Sequence, residues 1–296
     1  MRVKSRNRFT LAVFPLLAGP LIAPTSAIGK PPQPTIKIVD PLTVDPLVRE
    51  GTNFRAGGPA QHRRIITKQK DGSTNLDVGY NIYAAGMGGS TPYAYNKEEL
   101  CYISKGEIEI ISDGISVIGK AGDLMWRPVG ASSDGSKVLK DSVGVCAFSP
   151  AREDADSHRI PAADVGKWTG DPALKPRVRW FHIASIAPTE RPGNPDYASG
   201  KIVERRVLTA RKDHAAKADV TFTTYKAGVV LPAEVNRFDT LCWLESGTAE
   251  VVTGKTNQTL NATHFLYRPA GARTDSIQFK QDSAMICYAS PARTDR

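Results

Sequence analysis

Tyr93 and Tyr95 flank Ala94, and on an extended segment this spacing puts both phenols on one face. Their hydroxyls can orient a substrate oxygen or donate a proton. Glu99 follows at the edge of the apolar run 100–104. Apolar surroundings raise a carboxyl's proton affinity and fit it for general acid–base work. Arg127 and Arg268 each precede a proline, where a guanidinium suits either a clamp on a ligand carboxylate or a structural ion pair. Trp126 aligns with Tyr267 as an aromatic of the core or of a pocket wall. The competing reading is that Tyr93 and Tyr95 are filler with satisfied hydroxyls and that Glu99 pairs with a nearby cation, Glu98 being the solvent-facing neighbour. The histidines, His62, His158, His182, His214 and His264, show no HxH or HExxH spacing. His182 lies in a strand-like stretch from which it can point inward.

These residues sit in a repeat. At an offset of 141, Cys101 falls on Cys242, Gly106 on Gly247, and Glu109 on Glu250. Arg127-Pro128 falls on Arg268-Pro269, and Ser149-Pro150-Ala151-Arg152 on Ser290-Pro291-Ala292-Arg293. A period this long marks a globular domain occurring twice, since solenoid units run 20–50 residues. Short alternating or apolar runs bounded by Gly and Pro fill each copy: 76–85, 100–104, 107–112, 115–118, 124–127 and 143–149 in the first, with Asp113-Gly114 as a hairpin turn. Helical periodicity is weak, so the fold class is all-β, a sandwich or barrel. Residues 28–60 read as an extended arm packed across a barrel, 61–152 as the first domain, 153–175 as a connector with room for a short helix, and 176–296 as the second domain. Stretches 177–184 and 202–208 read as its first strands.

The first residues read as an address. Arg2, Lys4, Arg6 and Arg8 precede an apolar run to Ala23 and the small residues Thr25-Ser26-Ala27, the pattern of a cleaved secretory signal. The run is too short, and too broken by Pro15 and Pro20, for a membrane span. Residues 1–27 carry four basic residues and no acid, so their loss lowers the formal charge from +9 to +5. With no aromatic-interleaved basic cluster, nucleic acid is not an expected partner. The expected location is secreted or periplasmic. Export favours disulfides Cys101–Cys146 and Cys242–Cys287, both 45 residues apart; their apolar settings equally suit buried free thiols. The sequons at Asn257 and Asn261 fall between expected strands.

The run from Pro92 to Gly106, followed by Gly122-Asp123-Leu124-Met125-Trp126-Arg127-Pro128-Val129-Gly130, resembles the two motifs of the cupin superfamily, and the second copy makes the whole similar to a two-domain bicupin. The flavour of Glu98–Tyr102 is similar to the subgroup of ethanolamine-utilisation and ureidoglycine-hydrolase-like proteins. The resemblance implies two tandem jelly-roll-like β-barrels. It also implies that Tyr93, Tyr95, Glu99 and Ser133 stand at the positions where metal-bearing cupins place three histidines and a glutamate, with Glu234, Asn236, Thr240 and Thr274 at the matching positions of the second barrel. Neither set suits a tightly held first-row metal, so no metal or cofactor is expected. The expectation is an exported bicupin with a metal-independent pocket for a carboxylate- or sugar-like compound. Glu99, Tyr93 and Tyr95 are its candidate isomerase, lyase or hydrolase groups, and Ser133, Arg127, Trp126, Glu234 and Asn236 its candidate substrate contacts. A non-catalytic binding or sensory protein and a structural bicupin are the alternatives. The resemblance also implies a homodimer through paired edge strands.

Overall fold

The computed structural model describes residues 34–48, 58–154, 159–167, 175–214 and 217–292. The expected signal segment 1–27 and His158 lie outside them. Strands in chain order are β1 (Lys37–Val39), β2 (Ala60–Ile66), β3 (Asp77–Tyr83), β4 (Gly88–Gly89), β5 (Glu98–Ser112), β6 (Ile115–Lys120), β7 (Asp123–Arg127), β8 (Gly135–Ser149), β9 (Arg179–His182) and β10 (Ile202–Leu208). They continue as β11 (Asp219–Tyr225), β12 (Val230–Leu231), β13 (Glu234–Val235), β14 (Asp239–Ser246), β15 (Thr248–Thr253), β16 (Thr256–Asn261), β17 (Phe265–Arg268), β18 (Arg273–Thr274), β19 (Ser276–Phe279) and β20 (Ser283–Ser290). The fold is all-β, with antiparallel sheets throughout, and the two halves repeat each other. One half is built on the sheet β2-β3-β8-β5-β7-β9 and the other on β10-β11-β20-β14-β17-β1. The Asn257 sequon lies on β16, and the Asn261 sequon begins on its last residue and runs into the turn before β17.

Each half borrows its last strand from the other's leader. β1 precedes the first half but pairs with β17 of the second, in the register Lys37↔Tyr267. β9 precedes the second half but pairs with β7 of the first, Met125↔Trp180. Within the segment read as an arm, β1 thus lies along an edge of the second half's sheet, whereas 179–182, read from sequence as opening the second domain, completes the sheet of the first. Nothing in a strand's own pattern says which of two equivalent edges it joins.

Alternation along β5 decides what faces where. Leu100 and Tyr102 point out of barrel one into a core shared with Leu241, Trp243, Phe265, Tyr267, Ile286 and Tyr288 of barrel two. Cys101 and Ile103 point the other way, into the interior of barrel one with Ile108, Ile110 and Met125. Barrel two has its own interior cluster, including Leu244, Leu266, Phe279 and Met285. The seam also carries polar ties: Tyr102 donates to Glu245 Oε1 at 2.6 Å, and Tyr288 to the Val145 carbonyl at 2.8 Å. Glu98 belongs to this seam. It is buried and accepts from the Lys217 backbone N–H at 3.1 Å, which corrects its reading as a solvent-facing residue.

Backbone geometry explains three of the glycines. Asp113 and Gly114 both take positive φ, 51° and 71°, the pair a two-residue type I′ hairpin requires between β5 and β6. Gly106 and Gly247 both have φ of 88°, and a Cβ on either would collide with the Ser142 or Ser283 side chain. The four cysteines form two disulfides, Cys101–Cys146 and Cys242–Cys287, each spanning directly opposed residues of neighbouring strands.

Candidate functional site

In barrel one, four of the residues singled out in the sequence converge on a fifth, at the guanidinium of Arg127. β7 carries Arg127 inward, and the register Glu99↔Arg127 sets the glutamate opposite it on β5. Arg127 Nε donates to Glu99 Oε2 at 2.8 Å. Nη1 donates to Ser133 Oγ, and Nη2 to the Tyr93 hydroxyl at 3.1 Å. The guanidinium carbon also lies 4.6 Å from the Tyr93 ring centre and 5.2 Å from that of Tyr95, within cation–π range. Tyr95 in turn meets Phe148 edge-on at 5.5 Å. The tyrosine segment is fixed by a backbone bridge between Tyr93 and Ser133 and one between Tyr95 and Arg159. The connector thus crosses the barrel mouth, with Ile160 N donating to the Ala94 carbonyl at 3.0 Å.

Arg127 is about 1 % exposed. Burial alone favours the neutral form, but Tyr93, Glu99 and Tyr95 around it outweigh this and hold its pKa above the usual arginine value. Tyr95 is pushed well above an ordinary phenol by burial and then by Glu99 and Tyr93, with Arg127 pulling the other way. It is therefore a neutral phenol, a donor rather than a base. Glu99 is occupied in a buried ion pair, and Tyr93 accepts from Arg127, which leaves its own proton for another acceptor.

Trp126 goes elsewhere. Next to Arg127 on the same strand, it points into the core between the barrels with Arg179 stacked over it at 5.2 Å, so it does not line the interior of barrel one. Among the described residues, His182 and His264 also stay out of the arginine site. His182 is 57 % exposed at its side chain and meets Asp123 at 2.9 Å, and His264 faces Asp40. His62 does face inward, bonded to Asn81, a pairing that β2–β3 register alone creates.

Barrel two places its equivalents differently. Thr240 and Asn236 satisfy each other and nearby carbonyls: Asn236 Nδ2 reaches the Thr240 hydroxyl at 3.3 Å and the carbonyls of Phe238 and Arg268. Asn236 is a loop brace. Glu234 stands on the rim, 60 % exposed, and accepts from Arg268 Nη1 at 3.2 Å. Arg268 Nε and Thr274 Oγ1 are buried without a partner.

The positions around Arg127 do not fit a metal ion. In barrel one the donors already surround a guanidinium, and a second cation among them would be repelled. Among the described residues, the grouping Glu99 with Cys101 and Cys146 has its two sulfurs bonded to each other, so no thiolate is available. The sequence pointed to Arg127 only as one of several groups. Its central place was foreshadowed by one signal, the recurrence of Arg-Pro in both copies.

No protein-family model matches the chain, and no curated protein matches it. Many solved structures share its fold. A protein described as glyoxylate-induced, from Pseudomonas aeruginosa, aligns at TM-score 0.59 and 14% identity, covering 80% of this chain and 83% of that one. The YlbA protein of E. coli aligns at TM-score 0.64 and 10% identity, over 90% and 94%. Oxalate decarboxylase of Bacillus subtilis, a protein with Mn(II) centres, aligns at TM-score 0.58 and 13% identity, over 87% and 78%. At such identities the likeness speaks for architecture alone. The chain is an all-β protein with the cupin fold.

Proposed function

We propose that the chain is an exported bicupin that binds a small, neutral, sugar-like compound at the mouth of barrel one without a metal and without turning it over. One observation carries this reading: Arg127 stands amid Tyr93, Glu99 and Ser133 and is bonded to all three. The cation is permanent and Glu99 pairs with it, so the site presents dipoles and aromatic faces rather than a free cation to a ligand. Such a site favours hydroxyl groups over a carboxylate. The half-buried rings of Tyr93 and Tyr95 offer a face for a sugar ring, and the Tyr93 proton offers a hydrogen bond. The non-catalytic alternative is preferred to proton transfer because Glu99 would have to leave a buried ion pair to act as a base. Export rests on the basic–apolar–small pattern of 1–27, and the two disulfides agree with it.

The test is isothermal titration of the full chain against a panel of monosaccharides, with metal content measured on the same sample. Saturable binding that survives a chelator and weakens in Tyr93→Phe is expected. A stoichiometric transition metal in the native sample, or the absence of binding to every member of the panel, overturns the reading.

A further inference from the structure

The two leader strands take equivalent edges, β9 on β7 and β1 on β17. Trp180 stands opposite Met125 and Ile38 opposite Leu266. Met125 and Leu266 are 141 residues apart, so Trp180 and Ile38 hold the same place on the two barrels. What they meet there differs. The Trp180 ring lies on Gly119 of β6, so closely that a Cβ on that glycine would overlap it. The aligned residue of β16 is Leu260, fully buried in the cluster against which Ile38 packs. A large leader residue thus meets bare backbone, and a smaller one meets a filled wall. Charge follows the same division. Lys175 and Arg177, which lead into β9, both pair with Asp113 in the turn between β5 and β6. The corresponding turn between β15 and β16 is Gly254-Lys255, with an exposed cation and no carboxylate. The first leader's match for Arg177, three positions before Ile38, is the uncharged Thr35.

We propose that these residues are addresses that assign each leader strand to its barrel: Gly119 and Asp113 admit β9, and Leu260 and Lys255 refuse it. On the β17 edge, Trp180 would run into the Leu260 side chain, and overpacking a filled core is costly. Lys175 and Arg177 would there face Lys255 in place of Asp113, a repulsion that discriminates against the wrong pairing. On the β7 edge, Ile38 would leave the hollow over Gly119 unfilled, which costs contacts and creates a void. The choice lies in neither strand alone but in what each meets. It also bears on the mouth of barrel one, since the connector that ends in β9 is the segment crossing it, where Ile160 N donates to the Ala94 carbonyl.

The test uses the full chain and two measurements. Thermal unfolding reads the fit. Gly119→Leu is expected to lower the melting temperature by about 2–12 °C, and adding Trp180→Ile, which gives barrel one the pair found in barrel two, recovers most of that loss. Disulfide trapping reads the assignment. His182 stands opposite Asp123, and His264 holds the place of Asp123 in barrel two, so 182 and 264 face each other only when β9 lies on barrel two. His182→Cys with His264→Cys is placed in two backgrounds, the chain's own and one with the addresses exchanged by Asp113→Gly, Gly119→Leu, Gly254→Asp and Leu260→Gly. Non-reducing peptide mapping is expected to find the 182–264 link in the exchanged background and not in the chain's own. The proposal is overturned if Gly119→Leu melts as the wild type does, if Trp180→Ile fails to recover it, if the link forms equally in both backgrounds, or if the exchanged chain unfolds cooperatively without the link. Should the exchanged chain not fold, the melting of Gly119→Leu with and without Trp180→Ile decides alone.

Discussion

Barrel one and barrel two carry an arginine at the same place on the same strand, before the same proline, and build opposite environments around it. Arg127 is closed in by a carboxylate, two phenols and a serine. Arg268 meets one exposed glutamate at the rim and keeps its buried Nε unpaired. The backbone frame is the same in both, down to the disulfide opposite each arginine strand. The difference comes from side chains at three aligned positions: Tyr93 against Glu234, Glu99 against Thr240, and Ser133 against Thr274. A repeated frame fixes where a cation projects. The few residues facing it decide how many of its donors find a partner.

The comparison can be broken most forcefully at the arginines. Arg127→Ala should cost about 3–5 kcal/mol, because it strands Glu99 in the interior. Arg268→Ala should cost about 1 kcal/mol or less, as expected for a partner that is mostly exposed. Denaturant unfolding of both variants measures the gap, and equal losses would refute the asymmetry. A control follows from what the barrels share. Replacing either cysteine pair by alanine removes a 45-residue crosslink, and each should lose roughly 3–4 kcal/mol. A large inequality between them would place the asymmetry in the frame rather than in the side chains facing the arginines.

The seam gives a smaller effect with a pH signature. Burial raises the carboxyl of Glu245 above its usual range, while the hydrogen bond from Tyr102 pulls it down. A carboxyl with a raised folded-state pKa adds stability that is full below its unfolded value and is lost as pH rises through the folded value. Glu245→Gln should therefore flatten the decline in melting temperature above about pH 4, and an unchanged profile would remove Glu245 as its source. Tyr102→Phe should lower stability by about 1–3 kcal/mol near neutral pH, the worth of a hydrogen bond to a charged group. The smallest change is expected at the rim. Glu234→Gln removes an exposed ion pair and should shift unfolding by about 0–1 kcal/mol; a loss as large as that of Arg127→Ala would mean that Glu234 is doing in barrel two what Glu99 does in barrel one.

Much of this was legible from residue order. The 141-residue offset, the Gly and Pro punctuation and the alternation of β5 point to two β-barrels without any long-range information. The spacing Tyr93-Ala94-Tyr95 puts two phenols on one face, and Glu99, Ser133 and Arg127 stand out by residue type and position. The inward direction of Arg127 rather than Trp126 was not legible, since alternate positions exchange faces with a one-residue change of register. The burial of Glu98 was hidden for a related reason: the solvent that its neighbours suggest is displaced by a second barrel 119 residues away in the chain.

Local sequence determined which segments become strands, where they turn and which side chains alternate, because these follow from backbone sterics and the period of two. Tertiary structure alone decided that β1 and β9 change places between the barrels, that the cysteines pair, and that a guanidinium sits at the centre of four oxygen-bearing or aromatic side chains. Those outcomes depend on contacts between residues far apart in the chain, whose free energy exists only once both barrels have closed on each other.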